Sequence, residues 1–372
     1  MTSILIMAGG TGGHIFPALA TAEILRQRDV HVEWLGTRKG MEAKLVPAHD
    51  FAINFIDISG LRGKGIKTIL LLPFKLLRAM YQTMQVYKKV QPDVVLGMGG
   101  FVTGPGGIVG WLTGRPLVLH EQNAIAGMTN KILLRFAKSV LAAFPGAFGD
   151  KANAVRVIGN PVRKEITALA TPEVRFENKS SNKAGMNILI VGGSLGATAL
   201  NEKIPEALIK IQNEGLLEQS AFDSIYVRHQ CGEKNVSETE KNYTELSSDT
   251  ITVEVMPFID DMAKNYAWAD LIICRSGALT VSEIAAAGVA SLLVPYPYAV
   301  DDHQTANAAY LADQGAAFLV QQDNLAIETL VDILMTLDKK KLLSMAIKAR
   351  ELSIDNAAEV VADECMRLAG QA

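Results

Sequence analysis

The hydrophobic pattern at the start of the chain returns 184 residues later. The apolar run Ile4-Leu5-Ile6-Met7 leads into Ala8-Gly9-Gly10, and the run Ile188-Leu189-Ile190-Val191 leads into Gly192-Gly193-Ser194. Helical patterns follow at residues 16–28 and 198–212. A strand, a glycine turn and a helix in this order bind anions, because the N–H groups and the dipole of the helix start both favour negative charge. The repeat therefore predicts two doubly wound α/β domains and a phosphate-bearing ligand.

Short apolar runs alternate with helical patterns along the whole chain, which is typical of parallel α/β units. A length of 372 residues suits two such domains. The polar stretch 171–185 is predicted to be a linker or an edge loop, and the last helix is predicted over about residues 354–369. The predicted strands cover residues 3–8, 31–35, 93–97, 116–120 and 139–142 in the first half, a short segment within 153–163, and residues 187–191, 224–228, 252–255, 271–274 and 291–294 in the second half.

Composition and charge exclude several classes of protein. The net charge of −3 argues against a nucleic-acid-binding protein. The three cysteines, Cys231, Cys274 and Cys365, are far apart, so we expect no disulfide, a reducing compartment and a buried Cys274. A strand follows Met1-Thr2-Ser3 directly, so no signal peptide is expected. No apolar run is long enough to predict a membrane span.

One segment departs from this balanced charge. Residues 58–92 contain no acidic residue, Pro73 interrupts any single long helix there, and apolar side chains lie between the basic ones. Such a mixture indicates an element that inserts apolar side chains among lipid tails and meets anionic headgroups. For the segment taken alone, an amphipathic core helix with a solvated basic face is the favoured alternative. The basic residues are Arg62, Lys64, Lys67, Lys75, Arg78, Lys88 and Lys89.

The first glycine-rich stretch, residues 8–14, is not a dinucleotide-binding fingerprint. The third glycine of GxGxxG is absent, and the second strand ends at Leu35-Gly36-Thr37 without an acid for a ribose hydroxyl, so NAD binding is not expected. His14 lies at the helix start, where the positive end of the helix favours a neutral imidazole that can act as a base. A capping or packing role for His14 is an equal alternative.

Two further segments place unusual residues after predicted strands. Six glycines fall between Gly97 and Gly107, which indicates either a surface for a large acceptor or a long, closely packed turn. His120-Glu121-Gln122-Asn123 ends a strand at the sheet edge where ligands bind in such folds.

Segment 275–283 begins a helix directly after a strand. Ser276 is predicted to be its N-cap, and the first N–H groups would suit a diphosphate. Glu283 either accepts hydrogen bonds from a ribose or is a solvated helix acid. Residues 301–307 offer acid and amide groups to a sugar. Because the chain has no Asp-x-Asp, no Walker lysine and only scattered histidines, we expect helix ends to stabilise the diphosphate without a metal ion.

Six motifs together resemble the MurG family of bacterial N-acetylglucosaminyltransferases, and the resemblance runs from residue 4 to about residue 369. The resemblance implies a GT-B fold, in which two Rossmann-like doubly wound domains face each other across a cleft. It assigns acceptor and membrane binding to residues 1–163, with a C-terminal helix at about 354–372 packing back on them, and UDP-GlcNAc binding to residues 164–353. The motifs are residues 7–17, 58–65, 97–107, 120–123, 159–163 and 274–288.

The resemblance also implies the reaction. GlcNAc would move from UDP-GlcNAc to the C4 hydroxyl of MurNAc in undecaprenyl-diphospho-MurNAc-pentapeptide (lipid I), with inversion of the anomeric carbon and without a cofactor or a metal ion. The enzyme would be peripheral, at the cytoplasmic face of the inner membrane, so contact of segment 58–92 with an anionic membrane surface becomes the favoured interpretation. Cell-wall synthesis and division proteins are candidate partners, and nucleic acid is not.

Site residues carry over from the family's motifs one by one. His14 is the first candidate for the general base and Glu121 is the second, while the glycines of 9–13 and 99–107 would face the acceptor diphosphate. Leu195 and Phe101 replace the family's usual Gln and Tyr, which removes a side-chain contact and a hydroxyl. Ile259 would meet uracil. The implied donor contacts are Thr11, Gly12, Gly13, Asn123, Arg163, Ser194, Ile259, Ala278, Leu279, Thr280, Val281, Ser282, Glu283 and Gln304.

The residues by themselves leave two other functions open. A UDP-GlcNAc 2-epimerase of the same fold would need neither a lipid acceptor nor the basic and apolar segment. A nucleotide-sugar-binding scaffold at the membrane would bind the donor without turnover, and the density of polar residues after the predicted strands argues against it.

Overall fold

The computed structural model describes residues 1–59, 72–149, 155–178, 185–193, 196–247 and 249–370. The chain divides into two units, which we call the first unit (Met1–Arg163 with Ile354–Ala372) and the second unit (Lys164–Ser353). Each unit is built on its own parallel β-sheet.

The sheet of the first unit has seven strands. They are β1 (Ser3–Met7), β2 (His31–Gly36), β3 (Ala52–Phe55), β4 (Val94–Gly97), β5 (Leu117–Glu121), β6 (Ser139–Ala142) and β7 (Val155–Val157). Their order across the sheet is β3-β2-β1-β4-β5-β6-β7, and every neighbouring pair is parallel.

The sheet of the second unit repeats this arrangement with six strands. They are β8 (Gly185–Val191), β9 (Ser224–Gln230), β10 (Ile251–Met256), β11 (Leu271–Cys274), β12 (Ala290–Leu293) and β13 (Ala317–Leu319). Their order is β10-β9-β8-β11-β12-β13, again with parallel pairs throughout. The repeated sequence pattern is therefore a repeated topology.

Helices connect the strands in both units. In chain order the α-helices of the described residues are α1 (Gly12–Gln27), α2 (Glu42–Ala48), α3 (Leu72–Val90), α4 (Thr103–Leu112), α5 (Met128–Leu133), α6 (Lys164–Thr167), α7 (Pro172–Asn178), α8 (Thr198–Asn213), α9 (Val236–Asn242), α10 (Met262–Trp268), α11 (Ala278–Ala287), α12 (His303–Ala312), α13 (Ile327–Met335), α14 (Lys339–Glu351) and α15 (Ala357–Leu368).

Helices cover both faces of the first sheet. Ile4 and Ile6 of β1 belong to a buried cluster with α1 and α15, whereas Leu5 and Met7 belong to a second cluster with α3 and α4. All four side chains are fully buried. A parallel strand covered on both faces has no solvent side, which explains why its sequence is a continuous apolar run.

The strand order reverses between β1 and β4 in the first sheet and between β8 and β11 in the second. At such a point the connections leave neighbouring strands toward opposite faces, so a crevice opens beyond the carboxyl ends of the strands, and ligands bind there. The segments that follow these four strands are the glycine-containing segments identified in the sequence. The topology therefore gives each unit one ligand-binding edge.

Most of the predicted elements are confirmed, with three differences. The edge strands β3 and β13 were not predicted, because most of their side chains are only partly buried and their sequences carry little of the hydrophobic pattern. In the polar stretch 171–185, predicted to be a linker or an edge loop, α7 forms over residues 172–178, and residues 179–184 lie outside the described residues. The glycine segment 97–107 is not one turn, because α4 begins at Thr103.

The predicted burial of Cys274 is confirmed, and Cys231 and Cys365 are likewise buried free thiols. Burial raises the pKa of the Cys274 thiol to about 12, so this group stays protonated. In the described part of the chain, no helix combines the length and the apolar character that crossing a bilayer requires.

Candidate active site

The segment after β1 and the segment after β4 pack directly on each other. We call them the first glycine loop (residues 8–13) and the second glycine loop (residues 97–102). Gly100 has a φ of +85°, and a Cβ built on it would lie 2.3 Å from the Gly9 carbonyl oxygen. A Cβ built on Gly99 would lie 2.6 Å from Cδ2 of His14. The sequence left open whether these glycines form an acceptor surface or pack closely. Close packing accounts for Gly99 and Gly100, and it holds the His14 ring against the second glycine loop.

The hydrogen bonding of His14 fixes its tautomer. Its Nδ1 lies 3.2 Å from the Gly9 carbonyl oxygen. A carbonyl oxygen can only accept, so Nδ1 carries the proton of the neutral ring and Nε2 is the basic nitrogen. The N-cap position of α1 is occupied by Thr11, so His14 does not cap the helix. The nitrogen that could accept a proton is therefore Nε2.

Glu121 is buried and accepts four hydrogen bonds. Its Oε1 lies 3.0 Å from the backbone N–H nitrogen of Asn123 and 3.2 Å from the Asn123 side-chain amide. Its Oε2 lies 3.0 Å from the Gly127 nitrogen and 2.8 Å from Nδ2 of Asn130. Because each of its oxygens accepts two hydrogen bonds, the Glu121 carboxylate holds the segment after β5 in place. The same hydrogen bonds compete with a proton for these oxygens, which favours His14 over Glu121 as the base.

His120 belongs to a buried polar cluster on the same strand end. Its Nε2 donates to the Gly159 carbonyl at 2.9 Å, and its Nδ1 accepts from Nε2 of Gln122 at 3.0 Å. Burial lowers the pKa of His120 to about 4, so the ring is neutral at physiological pH. Asn160 donates to the Gln122 carbonyl at 3.1 Å and joins the cluster to the end of the first unit.

The predicted donor residues of the first unit lie at two places. Thr11, Gly12 and Gly13 form the start of α1. The Arg163 guanidinium lies 5.6 Å from the centre of the Phe16 ring on the same helix. Asn123 follows β5 and is held there by Glu121.

In the second unit, α11 begins directly beyond the carboxyl end of β11. The N-cap is Gly277 and not the predicted Ser276, because Gly277 is still extended and the helix begins at Ala278. Ser276 is fully buried, and its hydroxyl has no hydrogen-bond partner among the described residues. A buried hydroxyl and the first N–H groups of a helix together form a polar cradle for an anion.

Glu283, two turns into α11, is only 5% exposed, so the solvated-acid interpretation is wrong. The buried Tyr266 hydroxyl donates to its Oε2 at 3.0 Å. This bond holds the carboxylate of Glu283 in one orientation.

Side-chain amides and a guanidinium tie the remaining segments at this edge together. Gln230 bonds the nitrogen and the carbonyl of Gly193 and also donates to the Pro257 carbonyl, which joins the segments after β8 and β10. Arg275 donates to the carbonyls of Val294 and Pro295 at 3.1 Å each.

The other predicted donor residues of this unit are placed as follows. Ile259 is buried in the segment after β10. Oε1 of Gln304 accepts from the Tyr296 nitrogen at 2.9 Å. The residues Ala278, Leu279, Thr280, Val281, Ser282 and Glu283 form the first two turns of α11. Ser194 and Leu195 lie outside the described residues.

Comparison with known proteins identifies the family. Residues 4–142 match the glycosyltransferase family 28 N-terminal domain, and residues 187–363 match the family 28 C-terminal domain. The UDP-N-acetylglucosamine--N-acetylmuramyl-(pentapeptide) pyrophosphoryl-undecaprenol N-acetylglucosamine transferase of Aeromonas hydrophila subsp. hydrophila is 51% identical over 369 residues, which cover 99% of this chain and 97% of that protein. The crystal structure of Acinetobacter baumannii MurG is 44% identical, with a TM-score of 0.84 over 99% of this chain and 100% of that one. The chain belongs to the MurG family of glycosyltransferase family 28.

Membership of the MurG family confirms the predicted resemblance and the GT-B fold class, and it makes the chain a glycosyltransferase. The UDP-GlcNAc 2-epimerase of Neisseria meningitidis bound to UDP-GlcNAc shares the fold, with a TM-score of 0.62 over 99% of this chain and 100% of that one. Its 14% identity carries no information beyond the fold.

This MurG-family chain has a cavity of about 880 Å³ in its first unit, beside the two glycine loops. Its lining includes Gly9, Gly10 and Arg38 together with apolar side chains such as Met80 and Ile132. Phe101 also lines it and is half exposed.

Sequence reasoning missed several residues that shape the MurG-family site. Tyr266 and Gln230 act through long-range hydrogen bonds, and no local pattern distinguishes them from ordinary strand or helix residues. Glu42 contacts the first glycine loop from 32 residues away and is equally invisible in the sequence. In the described part of the chain, no group of acidic, histidine and cysteine side chains could hold a metal ion.

Proposed function

We propose that this chain transfers GlcNAc from UDP-GlcNAc to the C4 hydroxyl of MurNAc in undecaprenyl-diphospho-MurNAc-pentapeptide, and so converts lipid I into lipid II in peptidoglycan synthesis. The observation that carries this proposal is identity of about half the residues, along nearly the whole chain, to an enzyme named for that transfer. The His14 geometry in the first unit and the anion cradle in the second supply the two chemical requirements, a base and a site for the leaving group.

The donor binds at the edge of the second unit. The start of α11 and the buried Ser276 hydroxyl receive the diphosphate, which is stabilised by N–H groups and the helix dipole without a metal ion. Glu283, oriented by Tyr266, accepts from the ribose hydroxyls. Ile259 contacts the uracil, and the amide of Gln304 meets the sugar. The first-unit residues Thr11, Gly12, Gly13, Asn123 and Arg163, together with Ser194, complete the donor contacts.

The reaction is a single displacement. Nε2 of His14 takes the proton of the acceptor hydroxyl while its oxygen attacks the anomeric carbon of GlcNAc. The new C–O bond forms on one face as the bond to the diphosphate oxygen breaks on the other, so the configuration inverts. The electron pair leaves with UDP, whose developing charge meets the start of α11. The acceptor diphosphate lies against the two glycine loops, which line part of the first-unit cavity.

Exposed apolar side chains in the first unit support contact with a membrane. Phe74, Leu77 and Tyr81 of α3 are 70%, 64% and 66% exposed, and Lys75 and Arg78 lie between them. Other exposed apolar residues of the first unit are Trp111, Leu112, Met128 and Ile132.

The predicted membrane segment, residues 58–92, is described in part. Pro73 lies in the first turn of α3, where a missing N–H has no cost. Residues 60–71 lie outside the described residues. The enzyme binds the cytoplasmic face of the inner membrane, where its lipid-linked acceptor is available.

The membrane proposal predicts a loss of vesicle binding when the apolar side chains of α3 become polar. We expect Phe74→Ser with Leu77→Ser to weaken binding to vesicles containing anionic phospholipid by about tenfold or more, because two side chains no longer leave water. Co-sedimentation measures the bound fraction. Val174→Ser, at an exposed apolar position on a helix of the second unit, is the control. Equal binding of the double variant and the wild type would contradict membrane contact through α3.

The transfer itself is tested by UDP release from UDP-GlcNAc in EDTA, with and without lipid-linked MurNAc-pentapeptide. We expect release only when the acceptor is present, because the hydroxyl that attacks belongs to the acceptor. Release without acceptor would favour an epimerase-like reaction, and no release in either case would favour a binding scaffold. Loss of acceptor-dependent release in EDTA, with recovery on addition of a divalent ion, would contradict the metal-independent mechanism.

A further inference from the structure

Glu42 places a buried carboxylate beneath the first glycine loop. It is the first residue of α2 and is fully buried. Its Oε1 accepts from the backbone nitrogen and the hydroxyl of Thr37, at 2.9 Å and 2.7 Å. Its Oε2 accepts from the Gly10 backbone nitrogen at 3.1 Å. Three donors from two separate segments therefore converge on one side chain.

The surroundings of Glu42 are adapted to this position. A Cβ built on Gly9 would lie 2.8 Å from Oε1 of Glu42, and one built on Gly40 would lie 2.0 Å from its Oε2. A Cβ on Gly36 would lie 2.7 Å from its Cγ. Three glycines thus leave the space that the carboxylate fills. Among the described residues, no lysine, arginine or histidine forms an ion pair with it, so hydrogen bonds alone satisfy the buried charge.

The Gly10 N–H and the Gly9 carbonyl belong to the same peptide group. In a trans peptide the N–H and the C=O point in opposite directions from one rigid plane. Glu42 holds the N–H side of this plane, and Nδ1 of His14 meets the C=O side at 3.2 Å. A peptide group between two glycines can rotate with little steric cost, so an anchor is needed to keep it in this orientation.

We propose that Glu42 is the positioning residue for the His14 base, acting through the Gly9–Gly10 peptide group. The carboxylate fixes the direction of the Gly9 carbonyl, which in turn holds the proton of His14 on Nδ1 and leaves Nε2 basic. The negative charge also polarises the peptide group, which strengthens the Gly9 carbonyl as an acceptor when the imidazole becomes positively charged. This inference rests on the proposed role of His14 as the base.

The test is Glu42→Gln, which keeps the shape and removes one acceptor. In either orientation of the new amide, its NH₂ group faces a backbone N–H of Thr37 or Gly10, so one anchor is lost. We expect turnover to fall by about 10- to 100-fold, because a small displacement of a catalytic group has effects of this size. The affinity for UDP should stay unchanged, since the contacts proposed for its diphosphate, ribose and uracil lie in the second unit. Glu33→Gln is the matched control: Glu33 lies on β2, accepts from Asn54 at 2.7 Å, and should leave turnover unchanged.

A second measurement reports on the tautomer without any reaction. In ¹⁵N-histidine-labelled protein, the ring signals of His14, assigned by their absence in His14→Ala, should show the proton on Nδ1 in the wild type and a mixture of tautomers in Glu42→Gln. A wild-type tautomer and wild-type turnover in a folded Glu42→Gln variant would overturn the inference. If the tautomer changes while turnover does not, Glu42 positions His14 as inferred, and the assignment of His14 as the base fails instead.

Thr37→Val keeps the test decisive if Glu42→Gln does not fold. It removes only the hydroxyl that donates to Oε1 at 2.7 Å. We expect a smaller loss of turnover and a smaller shift of the His14 tautomer in the same direction. Thr37→Ser, which restores the hydroxyl, should recover both. A Thr37→Val variant with wild-type His14 signals would overturn the inference.

Discussion

His14→Ala is expected to lower turnover by about 10²–10⁴-fold, the usual contribution of a general base, with little change in UDP binding. The reason is geometric. The Gly9 carbonyl fixes the ring proton on Nδ1, at 3.2 Å, so alanine removes the basic Nε2 and leaves the anion cradle at α11 unaltered. Steady-state kinetics with saturating lipid-linked acceptor measures the turnover, and calorimetric titration with UDP measures donor-site affinity.

The opposite pattern in a donor-site variant is the control for this experiment. Glu283→Gln keeps the hydrogen bond to the Tyr266 hydroxyl but weakens acceptance from a ribose, so the KM for UDP-GlcNAc should rise while turnover changes little. A His14→Ala variant with near-normal turnover would remove His14 from the role of base. The base would then be a residue that reaches the reacting hydroxyl only when the acceptor is bound.

Glu121→Ala is expected to destabilise the protein by about 3–5 kcal/mol, because it leaves four buried or half-buried donors without their acceptor. The donors are the nitrogens of Asn123 and Gly127 and the side-chain amides of Asn123 and Asn130. Activity should fall as well, since Asn123 loses its position. Urea unfolding monitored by circular dichroism measures the change in the free energy of unfolding.

An exposed acid of the same unit provides the comparison. Glu359 lies on the surface of α15, and Glu359→Ala should change the free energy of unfolding by about 1 kcal/mol or less. If Glu121→Ala is as stable as this control and still inactive, Glu121 takes part in the chemistry, and the hydrogen bonds seen here are secondary. A large loss of stability supports a positioning role for Glu121.

The segments that carry the chemistry were predictable because their signal is local. A continuous apolar run such as residues 4–7 is what a strand buried on both faces requires, and glycines after it mark a turn that side chains cannot enter. The repeat of this pattern at residues 188–193 predicted the second unit. Edge strands such as β13, most of whose side chains are only partly buried, carry too little of this pattern to be recognised.

Neighbouring residues are enough to predict the segments that form the candidate site, which are the strand ends, the glycine loops and the helix starts. What the individual side chains do there follows from contacts between segments and is visible only in the folded chain. The proton position on His14 depends on the Gly9 carbonyl, the orientation of that carbonyl depends on Glu42, and the orientation of the Glu283 carboxylate depends on Tyr266. Each of these is a hydrogen bond, and two of them join separate segments of the chain. The direction of a hydrogen bond is set by the packed backbone, and no residue pattern along the chain records it.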